Sequence, residues 1–268
     1  MLRALLGLGA RMTPRVPDDC VVYAIGDIHG RADLLGPLLR DIEADLEGCG
    51  ASRRVVIFLG DYVDRGPASN RVLDILAAFA AASVAETRFI RGNHEDCLLT
   101  FMSEPATGSG WCEFGGRETL CSYGVTPPAR RAEPEVWAAA AQALSQALPS
   151  THMAFLSTLE PWVEVGDFFF THAGARPGVA LADQSDHDLM WIRGEFLGGT
   201  GRFERIVVHG HTPEPAVFAD HRRVGLDTGA YATGVLTALR LQGSTTRLVQ
   251  TRVDAGEVTV GKTAVPKG

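Results

Sequence analysis

From residue 20 onward the chain alternates short apolar runs with longer stretches whose apolar residues recur at helical spacing. That alternation is the pattern of βαβ units, and it commits the chain to a mainly parallel sheet covered by helices. Residues 21–25 read as the first strand. Residues 31–47 read as a helix with Leu34, Leu35, Leu38, Leu39, Ile42 and Leu46 on one face. A second unit pairs a strand at 55–59 with a helix at 71–82, and a third strand follows at 88–91. Residues 101–161 are rich in Gly, Pro and Ala, with a helical stretch at 134–148 and no strand pattern. They predict a helical insertion within one domain. Strands resume at 162–165, 168–171, 206–209, 224–226, 235–241 and 247–253. Their closer spacing predicts a second, more antiparallel sheet.

At 268 residues the chain is long enough for one sizeable α/β domain. We take residues 20–255 as that domain, 1–19 as an N-terminal segment, frayed or docked, and 256–268 as a mobile C-terminal tail. The composition is that of a globular protein, 46% hydrophobic and 21% charged. A balance of 25 basic against 32 acidic residues argues against a nucleic-acid binder or a polybasic membrane-surface protein. The sequence therefore predicts neither a nucleic-acid partner nor stable membrane association, and it leaves the oligomeric state open. Five cysteines without a Cys-x-x-Cys pair fit reduced, buried thiols in a cytoplasmic protein rather than a disulfide frame or thiolate zinc site.

Polar residues stand directly after the apolar strands. Gly26-Asp27-Ile28-His29-Gly30 follows the first, Gly60-Asp61-Tyr62-Val63-Asp64-Arg65-Gly66 the second, and Gly92-Asn93-His94-Glu95 the third. Loops at the carboxyl ends of parallel strands share one sheet edge, so these residues converge. Thr171-His172-Ala173-Gly174 and His209-Gly210-His211-Thr212 repeat the arrangement later. Carboxylate, imidazole and amide oxygen together suit Mn, Fe or Zn. Six candidate ligands are too many for one four-coordinate ion with an open position. They fit two ions about 3.5–4 Å apart bridged by one carboxylate, an arrangement that activates water and neutralises a phosphoryl group.

In this order, Gly-Asp-x-His-Gly, Gly-Asp-x-x-Asp-Arg-Gly, Gly-Asn-His-Glu, a histidine before Ala-Gly and a late Gly-His resemble the metallophosphoesterase superfamily, over roughly residues 20–240. Within it they resemble the phosphoprotein phosphatase branch, especially its small bacterial members. The segments Gly115-Gly116, Ser122-Tyr123-Gly124, Trp191-Ile192-Arg193 and Leu226-Asp227-Thr228-Gly229-Ala230 add to the likeness. The resemblance implies a four-layer α/β/β/α sandwich of two mixed sheets, with the insertion as a helical cap. It implies that Asp27, His29 and bridging Asp61 hold one divalent ion, and that Asp61, Asn93, His172 and His211 hold a second, manganese before iron or zinc. It makes His94 the general acid, Asp64 its orienting carboxylate, and Arg65 and Arg193 the phosphate clamps, and it places Tyr231 beside the site. Pro213 stands where many superfamily members carry a second late histidine, so the first ion should have one protein ligand fewer. The implied reaction is hydrolysis of a phosphate monoester by a hydroxide bridging the two ions. The implied enzyme is a serine/threonine protein phosphatase whose partner is a phosphorylated protein or a small phosphate ester. A dinucleoside polyphosphate hydrolase on the same scaffold is the alternative. A nuclease or cyclic-nucleotide phosphodiesterase fits less well, and a decayed, metal-free scaffold would have lost ligands that this chain keeps.

Several residues read as structural. His209 is discounted as a ligand, and His152, His187 and His221 read as surface histidines. Asp33 suits the first turn of a helix. Trp191 reads as packing, its value lying in the placement of Arg193.

Overall fold

The computed structural model describes residues 13–266, so residues 1–12 of the N-terminal segment lie outside the described residues. Three parallel strands and two crossover helices come first: β1 (Cys20–Ile25), α1 (Ala32–Gly48), β2 (Arg53–Phe58), α2 (Ser69–Ala82) and β3 (Glu86–Phe89). A helical stretch follows, with α3 (Asn93–Ser103), α4 (Gly108–Trp111), α5 (Arg117–Ser122), α6 (Pro134–Ala147) and α7 (Ser150–Ser157). The chain continues through β4 (Trp162–Val165), β5 (Phe168–Thr171), α8 (Asp186–Trp191), α9 (Gly194–Leu197), β6 (Ile206–His209), β7 (Phe218–Ala219) and β8 (Arg223–Gly225). It ends in α10 (Ala230–Thr233), β9 (Val235–Gln242), β10 (Thr245–Asp254) and β11 (Glu257–Ala264).

Two mixed sheets result, ordered β11-β10-β9-β1-β2-β3 and β4-β5-β6-β8-β7. Alternation along the strands decides how they stack. Val21, Tyr23 and Ile25 of β1 and Val56 and Phe58 of β2 face α1, α2 and the helical insertion. Cys20, Val22, Ala24, Val55 and Ile57 face the other way and pack against Phe168, Phe170, Val208 and Val224 of the second sheet. On that sheet Phe169 and Val207 point outward, against Leu189 of α8 and Phe196 of α9. The layers are therefore α/β/β/α, as the resemblance implied.

Four expectations need correction. Strands β9 and β10 do not build the second sheet: β9 pairs antiparallel with β1, and β10 with β9, so both extend the first sheet. Strand β1 is buried along its whole length and needs a neighbour on its free edge, a demand of pairing that strand spacing does not reveal. The second sheet instead has a parallel core of β5, β6 and β8. Residues 257–264 are not a loose tail but strand β11, paired with β10 from Arg247↔Ala264 to Asp254↔Glu257. Its side chains are mostly exposed, so backbone hydrogen bonds rather than an apolar face hold it, and the sequence carries little strand signal there. His152 is buried, its ring bonded to Tyr123 Oη at 2.8 Å and Asp74 Oδ1 at 3.0 Å. Of the cysteines expected to be buried, Cys121 is exposed. No described helix is long and apolar enough to cross a membrane.

Candidate functional site

The carboxyl ends of the parallel strands deliver their loops to one place. Asp27 and His29 follow β1, Asp61, Asp64 and Arg65 follow β2, and Asn93 and His94 open α3 just after β3. His172 follows β5 and His211 follows β6, from the second sheet. All except Arg65 are buried. The backbone here is forced: of six described non-glycine residues with positive φ, five are His29, Asp61, Asp64, Arg65 and His211. Such conformations cost on the order of 1–3 kcal/mol each and persist only where surrounding structure imposes them.

Glu95 is one source of that constraint. Its fully buried carboxylate accepts N–H bonds from Asp61 (2.9 Å), Tyr62 (2.7 Å), Val63 (3.2 Å) and Gly92 (3.0 Å), tying the second loop to the third. Close approach of the loops also requires Gly210, where a Cβ would lie 1.9 Å from Asp27 Oδ1.

Two histidines turn an acceptor nitrogen inward. His29 Nδ1 lies 2.8 Å from the Val63 carbonyl oxygen, which can only accept, so that nitrogen carries the proton. Burial lowers its pKa to about 3, so the ring is neutral and Nε2 is an acceptor. Nε2 is buried without a hydrogen-bond partner and stands 3.3 Å from Asp61 Oδ2, another acceptor. His172 repeats the pattern, its Nδ1 donating to the Leu59 carbonyl at 2.8 Å. Burial lowers its pKa too, and its Nε2 faces Asn93 Oδ1 at 2.9 Å and Asp61 Oδ1 at 3.4 Å. His211 Nδ1 completes this second group, 2.9 Å from Asn93 Oδ1 and 3.2 Å from His172 Nε2. Burial pushes His211 down to about 2. A buried acceptor nitrogen facing a carboxylate suits a cation, and histidines that donate their other N–H to a backbone carbonyl are typical metal ligands.

Electrostatics agree with that chemistry. Burial opposes charge on Asp61, yet the imidazoles of His172, His94, His29 and His211 hold its carboxyl well below the usual range. Burial, then Asp227 and Asp61, push Asp27 well above it. Asp227 is itself pushed up to about 6, chiefly by burial. Three carboxylates crowd a buried space, and a divalent cation is the charge such a space lacks. Ligand atoms of His29, Asp61 and His94 lie within 4.8 Å of one another, as do those of Asp61, His172 and His211. The residues fit two ions sharing Asp61. Asp27 is not among the atoms of either group; its two oxygens lie 3.1 and 3.0 Å from the His211 backbone nitrogen.

His94 is differently held. Its Nδ1 lies 2.7 Å from Asp64 Oδ2, and Arg65 Nη2 lies 3.1 Å from its Nε2. Burial disfavours its charged form, but Asp61 and Asp64 outweigh burial and raise its pKa. The fully buried Asp64 receives two further bonds from the insertion, Trp111 Nε1 to Oδ2 at 2.7 Å and Thr119 Oγ1 to Oδ1 at 2.6 Å. Gly115, at φ +115°, accepts the Arg65 N–H at 3.1 Å, and a Cβ there would sit 2.6 Å from that nitrogen. Arg193, between α8 and α9, is exposed, and its charge helps depress His172 and His211. Tyr231 of α10 stacks under Arg65, 4.8 Å from ring centre to guanidinium carbon, and edges His29 at 5.4 Å. His209 points away, Nδ1 to Gly210 O at 2.9 Å and Nε2 to Arg223 at 3.1 Å. Trp191, expected as packing, is 38% exposed and lies 6.3 Å from the His211 ring.

Sequence reasoning assigned no role to Glu95, Asp227, Trp111 or Thr119. Glu95 was within reach, since a Glu three residues after a helix cap is a capping-box spacing. The others left no local signal.

The fold and this site define a metal-dependent phosphoesterase: residues 21–241 match the calcineurin-like phosphoesterase family, and the chain belongs to it. It is thus a hydrolase of a family that works with two metal ions. Among its relatives is the asymmetrical bis(5'-nucleosyl)-tetraphosphatase PrpE of Geobacillus thermodenitrificans, 26% identical over 246 residues, 83% of this chain and 91% of that one. The mouse serine/threonine-protein phosphatase with EF-hands 2 is 38% identical over 78 residues, 29% of this chain and 10% of that one. A protein crystallised under the provisional description of diadenosine tetraphosphatase shares the fold, with a TM-score of 0.57 at 19% identity over 94% of this chain and 95% of that one.

Proposed function

We propose that the chain is a phosphomonoesterase acting on phosphorylated protein, with manganese as its working metal and iron or zinc as substitutes. In this reading Asp27, His29 and Asp61 hold one ion, and Asp61, Asn93, His172 and His211 the other. The observation that carries it is the pair of buried, neutral histidines whose lone pairs converge with oxygen acceptors on Asp61. Two bound ions supply a water that is nucleophilic near neutral pH and offset the charge of the phosphoryl group.

The chain's own groups do the rest. Arg65 and Arg193 grip the non-bridging oxygens, whose charge grows in the transition state. Arg65 rests against His94 Nε2 in this structure; an arriving phosphate draws the guanidinium away, and the freed nitrogen takes up a proton from solvent. His94 then delivers a proton from Nε2 to the leaving oxygen, while Asp64 fixes the ring through Nδ1. The Glu95 clamp holds the second and third loops in register.

The extent of the likeness to the Geobacillus tetraphosphatase favours a second reading, hydrolysis of a dinucleoside polyphosphate by the same groups. One turnover panel with manganese separates the two. Phosphoserine, phosphothreonine and phosphotyrosine peptides are expected to be hydrolysed faster than diadenosine tetraphosphate, and the reverse order would establish the second reading.

A further inference from the structure

Six large hydrophobic side chains are exposed among the described residues, and the three aromatic ones, Phe114 (67%), Trp191 (38%) and Tyr231 (37%), all border the candidate site. Exposed aromatic surface gathered at one spot marks a place where something binds. Two cavities meet at Arg65 and Phe114. One, about 200 Å³, is lined by Asn93 and His94 and walled by Trp111, Phe114 and Trp191. The other, about 400 Å³, carries Glu113, Glu118 and Tyr231.

The smaller cavity is the one that His94 lines, so the group attached to the leaving oxygen must lodge there. Its chemistry is restrictive. Trp111 has spent its indole N–H on Asp64 and offers the cavity only ring carbon. Apart from His94, Arg65 is the only charged side chain in the wall. A polyphosphate leaving group would therefore find no further counter-charge there, and in the larger cavity it would meet two glutamates. A flat uncharged ring, by contrast, finds aromatic partners of the kind rings prefer.

We infer that this cavity is a leaving-group pocket for an uncharged aromatic ring, so that the enzyme prefers aryl phosphates, phosphotyrosine among them, over phosphoserine and over polyphosphates. The inference rests on the phosphomonoesterase reading. In the reaction, water oxygen bonds to phosphorus and gives up a proton to solvent, the bond from phosphorus to the aryl oxygen breaks, and that oxygen takes a proton from His94, which solvent then replaces.

The test compares the manganese-loaded wild type with Phe114→Ala and Phe114→Tyr. Substrates are matched phosphotyrosine and phosphoserine peptides, p-nitrophenyl phosphate and diadenosine tetraphosphate. Wild type should favour the phosphotyrosine peptide over the phosphoserine peptide in kcat/KM. Phe114→Ala should shrink that preference about three- to tenfold, mostly through KM, and Phe114→Tyr should restore it. Equal effects on the phosphotyrosine peptide and p-nitrophenyl phosphate place the recognition in the ring, whereas an effect on the peptide alone overturns a ring pocket. A readout without turnover is tryptophan fluorescence: phenylphosphonate should bind several-fold tighter than methylphosphonate, and Phe114→Ala should erase the difference. Equal binding of the two phosphonates, or diadenosine tetraphosphate as the better substrate, would overturn the inference. Absence of turnover on every monoester would instead remove the phosphomonoesterase reading beneath it.

Discussion

At the scale of single residues the site is organised around Asp61. Its two oxygens face opposite ligand groups, Oδ2 toward His29 and Oδ1 toward His172. Asp61→Asn removes the charge that both ions would share. Metal content by elemental analysis and turnover should therefore fall together, by at least about a hundredfold in rate, because even residues behind a metal ligand are worth ten- to a hundredfold. A fully metallated, active Asn variant would exclude a bridging role. His94 poses a sharper choice, since its ligand atom lies near His29 and Asp61 while its Nδ1 is held by Asp64. An acid matters most when the leaving oxygen is strongly basic. His94→Asn should thus slow phosphoserine turnover about a hundredfold to ten-thousandfold, and p-nitrophenyl phosphate turnover far less, with metal content unchanged. Equal losses on both substrates, or loss of metal, would make His94 a ligand rather than an acid. The ligand motifs were legible because each residue follows an apolar strand. The positive φ values that aim them were not, since Asp, His and Arg give no sign of them in sequence.

At the scale of elements, the helical insertion is more than a cover over the site. Trp111 and Thr119 lie about fifty residues from Asp64 in sequence, yet they saturate its carboxylate and thereby fix His94. Trp111→Phe keeps a ring against Phe101, 4.9 Å away, but deletes the N–H donor. A hydrogen bond to a charged group is worth about 1.5–3 kcal/mol, and stability should drop by that order in chemical denaturation. The same variant should slow phosphoserine hydrolysis more than p-nitrophenyl phosphate hydrolysis, because only the former depends on an oriented acid. A uniform loss on both would confine Trp111 to packing. The sequence showed that residues 101–161 lacked strands, but not what they touch. Side chains on short helices with no strong apolar stripe are placed by the surface they land on.

The whole molecule folds around a deficit of positive charge. Asp27, Asp61 and Asp227 are buried together, and two ions would relieve their repulsion. Because folded protein alone presents both ligand groups assembled, metal binding should stabilise it. Thermal unfolding after exhaustive chelation should begin about 5–10 °C lower, and manganese should restore the difference. An unchanged Tm would show that the cluster binds no ion tightly. Both sheets are needed for this effect, since His172 and His211 come from the second and the remaining ligands from the first.

The sequence by itself determined the parallel strands, the helices between them and the residues at their carboxyl ends. Those depend on local patterns: apolar runs, helical spacing, and polar motifs at strand tips. Tertiary structure alone decided that β9 and β10 join β1, and that residues 257–264 add a further strand by backbone pairing. It also decided that Glu95 clamps two loops, and that Phe114 and Trp191 stand exposed beside His94. The physical reason is range. Hydrophobic period and turn chemistry act over a few residues and are written where they act. Strand partnership, buried charge and pocket walls are set by groups dozens or hundreds of residues apart, which meet only once the chain has folded.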